Sequence, residues 1–269
     1  MKVKHSSHRW RRSISGAISM LVVILLVPAG ASSMASAAGT SCTSGTRGFA
    51  GSQTYATDFI RGARATIDTF YPALCGSSSD SSAWAMVAAP KLSDPSVLMY
   101  AQAGYGRAGS SYVDPGTSQN PSGLHKFAQR AKTCFPTCSG GQAQWVTWYS
   151  DSAPTSALTY VAKRLALDGQ VHMYANGIDV LQTQYDIANY WDLSHVNAQF
   201  AGEVVNKESD VVGTSASKAY FSNISYTKDD GSSAVPSTLV YNVTWSRHHA
   251  GTWTTSDGQQ HMGIWTDPL

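Results

Sequence analysis

NAQFAGEVVNKESDVVGTSASKAYFSNISY, residues 197–226, is the stretch on which the fold turns. Its first part alternates: Gln199, Ala201, Glu203 and Val205 fall on one face of a strand, and Phe200, Gly202 and Val204 on the other. The SDVVGTSAS segment then reads as a turn, and Ala219, Phe221 and Ile224 as a returning strand, so a hairpin is predicted. Glu203 would face away from the apolar side, with small neighbours that leave room for a ligand. The chain has two glutamates, Glu203 and Glu208, against fifteen aspartates. An isolated strand glutamate is ordinarily a solvated surface group, so a functional reading requires a partner across a cleft.

The flanking chain reads in the same way. Gly48 to Tyr71 alternates enough for one or two strands, with Ala63, Ala65 and Ile67 on a shared face. Ala83 to Ala89 and Val97 to Tyr105 read as a strand pair turning around Pro90 to Pro95. Within the second of these, Val97, Met99, Ala101 and Ala103 are apolar and predicted to face the core. Leu98, Tyr100, Gln102 and Gly104 form the opposite face. A long amide between a tyrosine and a glycine suits the floor of a groove, and Gln102 is the candidate partner of Glu203.

Gly106 to Gly141 is rich in Gly, Ser and Pro and reads as a long irregular region, with a helical turn or two in Gly123 to Lys132. QAQWVTWYS, residues 142–150, is a strand with Trp145, Thr147 and Tyr149 on one face. Leu158 to Leu167 fits strand or short helix. Asn176-Gly177 between two alternating runs signals a hairpin, because both residues accept positive φ. Leu239 to Trp245 and His261 to Trp265 complete the set. Many short strands with almost no amphipathic helix predict an all-β sandwich of two antiparallel sheets.

The N-terminus has a different composition. Lys2, Lys4, Arg9, Arg11 and Arg12 precede a short apolar run, Met20 to Val27, and a small-residue cleavage site at Ala35-Ser36-Ala37. Residues 1–37 therefore read as a secretory signal peptide, 38–47 as a polar leader and 48–269 as a single β-sandwich domain. The apolar run is too short to anchor in a bilayer, so no membrane association is expected after its removal. Without the signal, 14 basic and 17 acidic residues leave a formal charge of −3. That excludes a basic stripe of the kind that binds nucleic acid.

The expected setting is extracellular, in a bacterial secreted protein, where cysteines pair by default. Cys42, Cys75, Cys134 and Cys138 allow three connectivities. Cys42–Cys75 with Cys134–Cys138 is preferred, because it staples the N-terminal arm and closes the CFPTC loop. A Cys-x3-Cys metal site lacks a second ligand pair, and His248, His249 and His261 read as surface histidines. No cofactor or metal is called for.

These segments, in this order, resemble the glutamic peptidase superfamily, both its eqolisin and its neprosin branches. NAQFAGEVVN is similar to the neprosin run around a catalytic Glu, and SKAYFSNISY to the strand after it. AW followed by a loop and LMYAQAG resembles the eqolisin AW…ILQTG run, whose Gln is catalytic. QAQWVTWYSD resembles the eqolisin strand AWYEWYPD. The resemblance covers most of Phe49 to Tyr226. A lone carboxylate works as a base only while ionised and must then pass the proton on, so acidic operation is expected, in a monomer. The resemblance implies a concanavalin-like jelly roll and a secreted hydrolase, a glutamic endopeptidase acting on polypeptide. It further implies Glu203 as catalytic carboxylate, Gln102 as its amide partner, and Trp84, Trp145 and Tyr149, beside Tyr100, as substrate-binding aromatics. The cleft acids of eqolisins are replaced here by Ala88, Gly106 and Thr147. The alternative is a non-catalytic sandwich that binds glycan or peptide in the same aromatic groove.

Overall fold

Alternation decides the layers. In chain order the strands are β1 Gly48–Thr54, β2 Ile60–Ile67, β3 Asp80–Lys91, β4 Asp94–Ala108, β5 Gly123–Ala131, β6 Trp145–Tyr149, β7 Leu158–Arg164 and β8 Val171–Ala175. They continue with β9 Ile178–Gln182, β10 Asn197–Val204, β11 Ala219–Lys228, β12 Ser233–Ala234, β13 Val240–Val243, β14 His248–Thr254 and β15 Gln260–Thr266. The computed structural model describes residues 47–54, 59–132, 145–206, 208–237, 239–244 and 246–267. The signal-like segment, most of the leader, Cys42, Cys134 and Cys138 lie outside the described residues.

The strands form two antiparallel sheets, a jelly-roll sandwich. One runs β13-β1-β10-β3-β4-β5-β6 and the other β14-β15-β11-β2-β7-β8-β9, with β12 on β11. Val97, Met99, Ala101 and Ala103 are at most 3 % exposed and join Ile67, Tyr160, Phe200, Phe221 and Ile264 in the core between the sheets. Each large side chain buried there contributes on the order of 1.5–3 kcal/mol. Tyr105 crosses that core and is satisfied at its far end: its hydroxyl donates to Asp68 O at 2.8 Å and accepts from Phe70 N at 3.0 Å.

Three expectations change. Residues 197–226 are not a hairpin: β10 pairs with β1 and β3, whereas β11 pairs with β2, β12 and β15 in the other sheet. The fourteen residues between them, 205–218, cross from one sheet to the other instead of turning back. Gly123 to Ala131 is a strand, not a helical turn, held on both sides by β4 and β6. His248 is not a surface residue; it is 0 % exposed, with Nε2 at 3.1 Å from Ser209 O. His249 points to the opposite, more open side. The Asn176-Gly177 turn joins β8 to β9 with φ of 52° and 82°.

At that hairpin His172 is clasped between two carboxylates, Nδ1 to Asp179 at 2.5 Å and Nε2 to Asp168 at 2.8 Å. Burial pulls its pKa down, but the hydrogen bonds and charges of Asp179 and Asp168 win, and the net direction is up. A raised pKa means that the clasp stabilises fully below the unfolded value and is lost as pH climbs through the folded one. Both carboxylates are partly solvated, so His172→Gln should cost about 1 kcal/mol, roughly 2–4 °C in Tm, at pH 5–6. The deficit should shrink at pH 9. Thermal melts at the two pH values check this; an equal deficit at both would mean that the charge plays no part.

Candidate functional site

The outward face of the first sheet is not covered by the second, and its alternate residues line a cleft. Arg47, Asp80, Ser82, Tyr100, Gln102 and Glu203 share it with Tyr112, His125, Phe127, Gln129, Trp145, Tyr149 and Val205. Trp84 and Met86, 2 % and 6 % exposed, pack beside Phe127, Ala201, Phe49, Tyr100 and Tyr149 as its apolar floor. Every predicted site residue outside the cysteines therefore lies on one face of one sheet. Cys75 is buried and disulfide-bonded, with a connectivity that falls outside the described residues.

Register shows which side chains meet. Glu203 lies opposite Ser82, and Ser82 opposite Gly106, whose other neighbour is His125. Gln102 lies in a different row, opposite Met86 and then Gln199 on one side, and opposite Gln129 and then Thr147 on the other. Four strand positions and two strand spacings, about 13 Å along and about 10 Å across, thus separate the Cα atoms of Glu203 and Gln102. The two share the cleft but do not face each other. The β10 residue in Gln102's own row is an amide, Gln199.

Each candidate group is engaged. Arg47 Nη1 donates to Glu203 Oε1 at 2.6 Å, and the carboxylate's charge raises the guanidinium pKa further. Arg47 is 61 % exposed, so the pair contributes at most about 1 kcal/mol, and a ligand displaces it at little cost. Gln102 Nε2 and Tyr100 OH both donate to Gln129 Oε1 at 3.0 Å, and Gln129 Nε2 donates to Thr147 Oγ1 at 3.0 Å. This chain of amides orients hydrogen-bonding groups along the floor. The Trp84 indole N–H is buried without a partner among the described residues.

Several side chains that build the cleft were not legible in the sequence. Asp114, 1 % exposed, comes from the loop after β4 and accepts from Trp145 Nε1 at 2.7 Å, Tyr149 OH at 2.7 Å and Gly116 N at 2.8 Å. Burial would raise its pKa, but these donors, with Thr147, bring it below the ordinary carboxylate value. It fastens the aromatic wall to the loop. Asp114→Asn replaces one acceptor oxygen with a donor among donors, and should cost about 1–3 kcal/mol at neutral pH. Because the pKa is depressed, the native carboxylate's advantage is present above the unfolded value and lost as pH falls through the folded one. Urea midpoints at pH 7 and pH 3 should converge for the two proteins; parallel curves would refute it.

His125 lies beneath Tyr149 in an edge contact, ring centroids 5.0 Å apart, and burial pushes its pKa down to about 4. Nδ1 sits 3.0 Å from Gly123 O, which assigns the proton there and leaves Nε2 an acceptor over Gly106. Asp80 opens β3 two residues from Ser82, diagonal to Glu203. Burial, then the charges of Glu203 and Asp114, push its pKa up to about 8 against the opposing pull of Arg47. The cleft thus holds two acids in unlike surroundings, Glu203 paired with Arg47 and Asp80 with its carboxyl pushed toward the protonated form. Among the described residues no group of three His, Cys, Asp or Glu side chains is placed to hold a metal ion.

No protein-family model matches the chain, and no curated protein sequence does. Among solved structures it is similar to scytalido-glutamic peptidase with a peptide-based transition-state analogue, at 12 % identity and a TM-score of 0.44, over 81 % of this chain and 97 % of that one. It is similar to SCP-B, a member of the eqolisin family of peptidases bound to the tripeptide Ala-Ile-His, at 13 % identity and 0.42, over 81 % and 98 %. Crh5 transglycosylase in complex with NAG is also similar, at 9 % identity and 0.34, over 85 % and 71 %. With TM-scores below 0.5, these likenesses leave the chemistry to be argued from the cleft.

Proposed function

We propose that this chain is a peptide-bond hydrolase of the glutamic type, exported and acting on polypeptide, with Glu203 as general base. The observation that carries the reading is the placement of Glu203 on the wall of an aromatic-floored cleft, beside a second acid and on the same face as Gln102. With Oε1 held by Arg47, the carboxylate's other oxygen takes a proton from water as the water oxygen attacks a peptide carbonyl. An extended peptide binds across the sheet, its backbone meeting the Gln102–Gln129 amides and its side chains Tyr100, Trp145 and Tyr149, while Trp84, 2 % exposed, supports the floor from below instead of touching substrate as the sequence suggested.

Gln102 enters this proposal with an altered role. Four positions from Glu203, it polarises and holds a substrate carbonyl further along the cleft instead of sharing the attacking water. The Cys42–Cys75 and Cys134–Cys138 pairing remains part of the proposal, as does the extracellular setting. The test is direct: purified mature protein is incubated with casein between pH 3 and 9, beside Glu203→Gln. Release of peptides by the first and not the second supports the reading, and an inert wild type refutes it.

One observation favours the second reading, a non-catalytic peptide- or glycan-binding sandwich: Glu203 and Gln102 are both already engaged by protein groups. Calorimetric binding of oligopeptide or oligosaccharide by a wild type that hydrolyses neither would establish it.

A further inference from the structure

Resting on the hydrolase reading, we propose that Asp80 is the proton donor to the leaving nitrogen, so that base and acid are two different side chains. The geometry comes from register. Glu203 pairs with Ser82, and Asp80 is the next residue of β3 on the same face, which places the two acids diagonally on adjacent strands with both side chains lining the cleft. Diagonal neighbours stand about 7–8 Å apart at Cα, near enough for both side chains to meet one bound substrate.

The groups around Asp80 hold the proton on it. Glu203 faces it from β10 and Arg47 from the start of β1, with Tyr112 and Asp114 on the loop after β4, His125 on β5 and Tyr149 on β6. Among the described residues no salt bridge reaches Asp80; the nearby cation, Arg47, is committed to Glu203. Burial and two neighbouring carboxylates favour the neutral acid over the ion. A carboxyl whose surroundings favour its proton, diagonal to one that is paired with an arginine, is the arrangement from which acid and base roles are assigned.

The step balances. Glu203 removes one proton from water, and the hydroxide oxygen bonds to the carbonyl carbon. The C–N bond of the tetrahedral intermediate then breaks as Asp80 gives its proton to nitrogen. Glu203 returns its proton to Asp80 through solvent, and one water has been added across one amide. The sequence-based expectation of acidic operation supposed a single carboxylate that does both jobs. With Asp80 as donor, turnover extends to neutral pH and falls only as Asp80 loses its proton, near pH 8.

Two measurements test the role. In protein labelled with 13C at aspartate side chains, the Asp80 carboxyl carbon, assigned by its loss in Asp80→Asn, should titrate near pH 8; an ordinary midpoint, about 4, overturns the proposal whatever the activity. Kinetically, Asp80→Asn should lose about 10²- to 10⁴-fold on a peptide amide but less than about 10-fold on the corresponding p-nitrophenyl ester, whose phenolate departs without a proton, and it should lose the alkaline limb. Glu203→Gln should lose both activities. If wild type cleaves the amide and Asp80→Asn keeps its rate, the role falls and the hydrolase reading stands. If wild type cleaves neither substrate, both fall.

Discussion

Glu203→Gln is expected to lower kcat/KM for a peptide substrate by about 10³-fold or more while leaving the fold intact. The substitution keeps the shape of the side chain and removes only its capacity to accept a proton. Its structural cost is the Arg47 ion pair, which joins a 61 % exposed guanidinium to a 24 % exposed carboxylate and contributes at most about 1 kcal/mol. A Tm within about 4 °C of wild type, measured beside the rate, shows that a lost activity is chemical. Retained turnover would move the base elsewhere, and the group to examine is His125, whose imidazole is neutral above about pH 4 and keeps Nε2 free of the Gly123 contact. His125→Asn would then carry the deficit. Each outcome names a different atom in the same row of the sheet, since Glu203, Ser82, Gly106 and His125 stand side by side across four strands.

That row explains what could and could not be read from the chain. Alternation reports the two faces of a strand, so Val97, Met99, Ala101 and Ala103 were legible as core, and Tyr100, Gln102 and Gly104 as cleft. Asn176-Gly177 was legible because its turn is local. Alternation contains nothing about register between strands far apart in sequence. The alignment of β10 with β4 passes through β3, and only that alignment shows that Gln102 shares its row with Gln199 while Glu203 shares its own with His125. Sequence proximity suggested that β10 and β11 form a hairpin, but the burial of two different inner faces sends them to different sheets. Strand β5 was masked by the Gly, Ser and Pro on either side of it, although His125, Phe127 and Gln129 alternate within. Asp80 was hidden for a similar reason: in CGSSSDSS it looks like loop, and its role as the first residue of β3 appears only once Ala108 is found across from it.

Gly104→Ala should be the most damaging substitution in the cleft floor, costing at least about 3 kcal/mol, or roughly 6–12 °C in Tm. Gly104 stands between Trp84 on β3 and Phe127 on β5, in the row next to that of Gln102. A Cβ built there collides with the Ala83 carbonyl oxygen and comes within 2.8 Å of Trp84 Cα and Cβ. The obstructing atoms are mainly backbone, so no rotamer change relieves the clash. The β3–β4 ladder has to open at the point where it carries Asp80, Ser82 and the indole of Trp84. Gly251→Ala is the comparison: its Cβ would meet only the Trp265 ring, at 3.6 Å, an ordinary contact. There the gain from a less flexible unfolded chain should leave the protein neutral or stabilised by up to about 1 kcal/mol. If instead Gly104→Ala melts with the wild type, β3 and β4 are not as close as this register requires. The row that carries Glu203 and Ser82 on to Gly106 and His125, which crosses the same β3–β4 ladder, would fail with it.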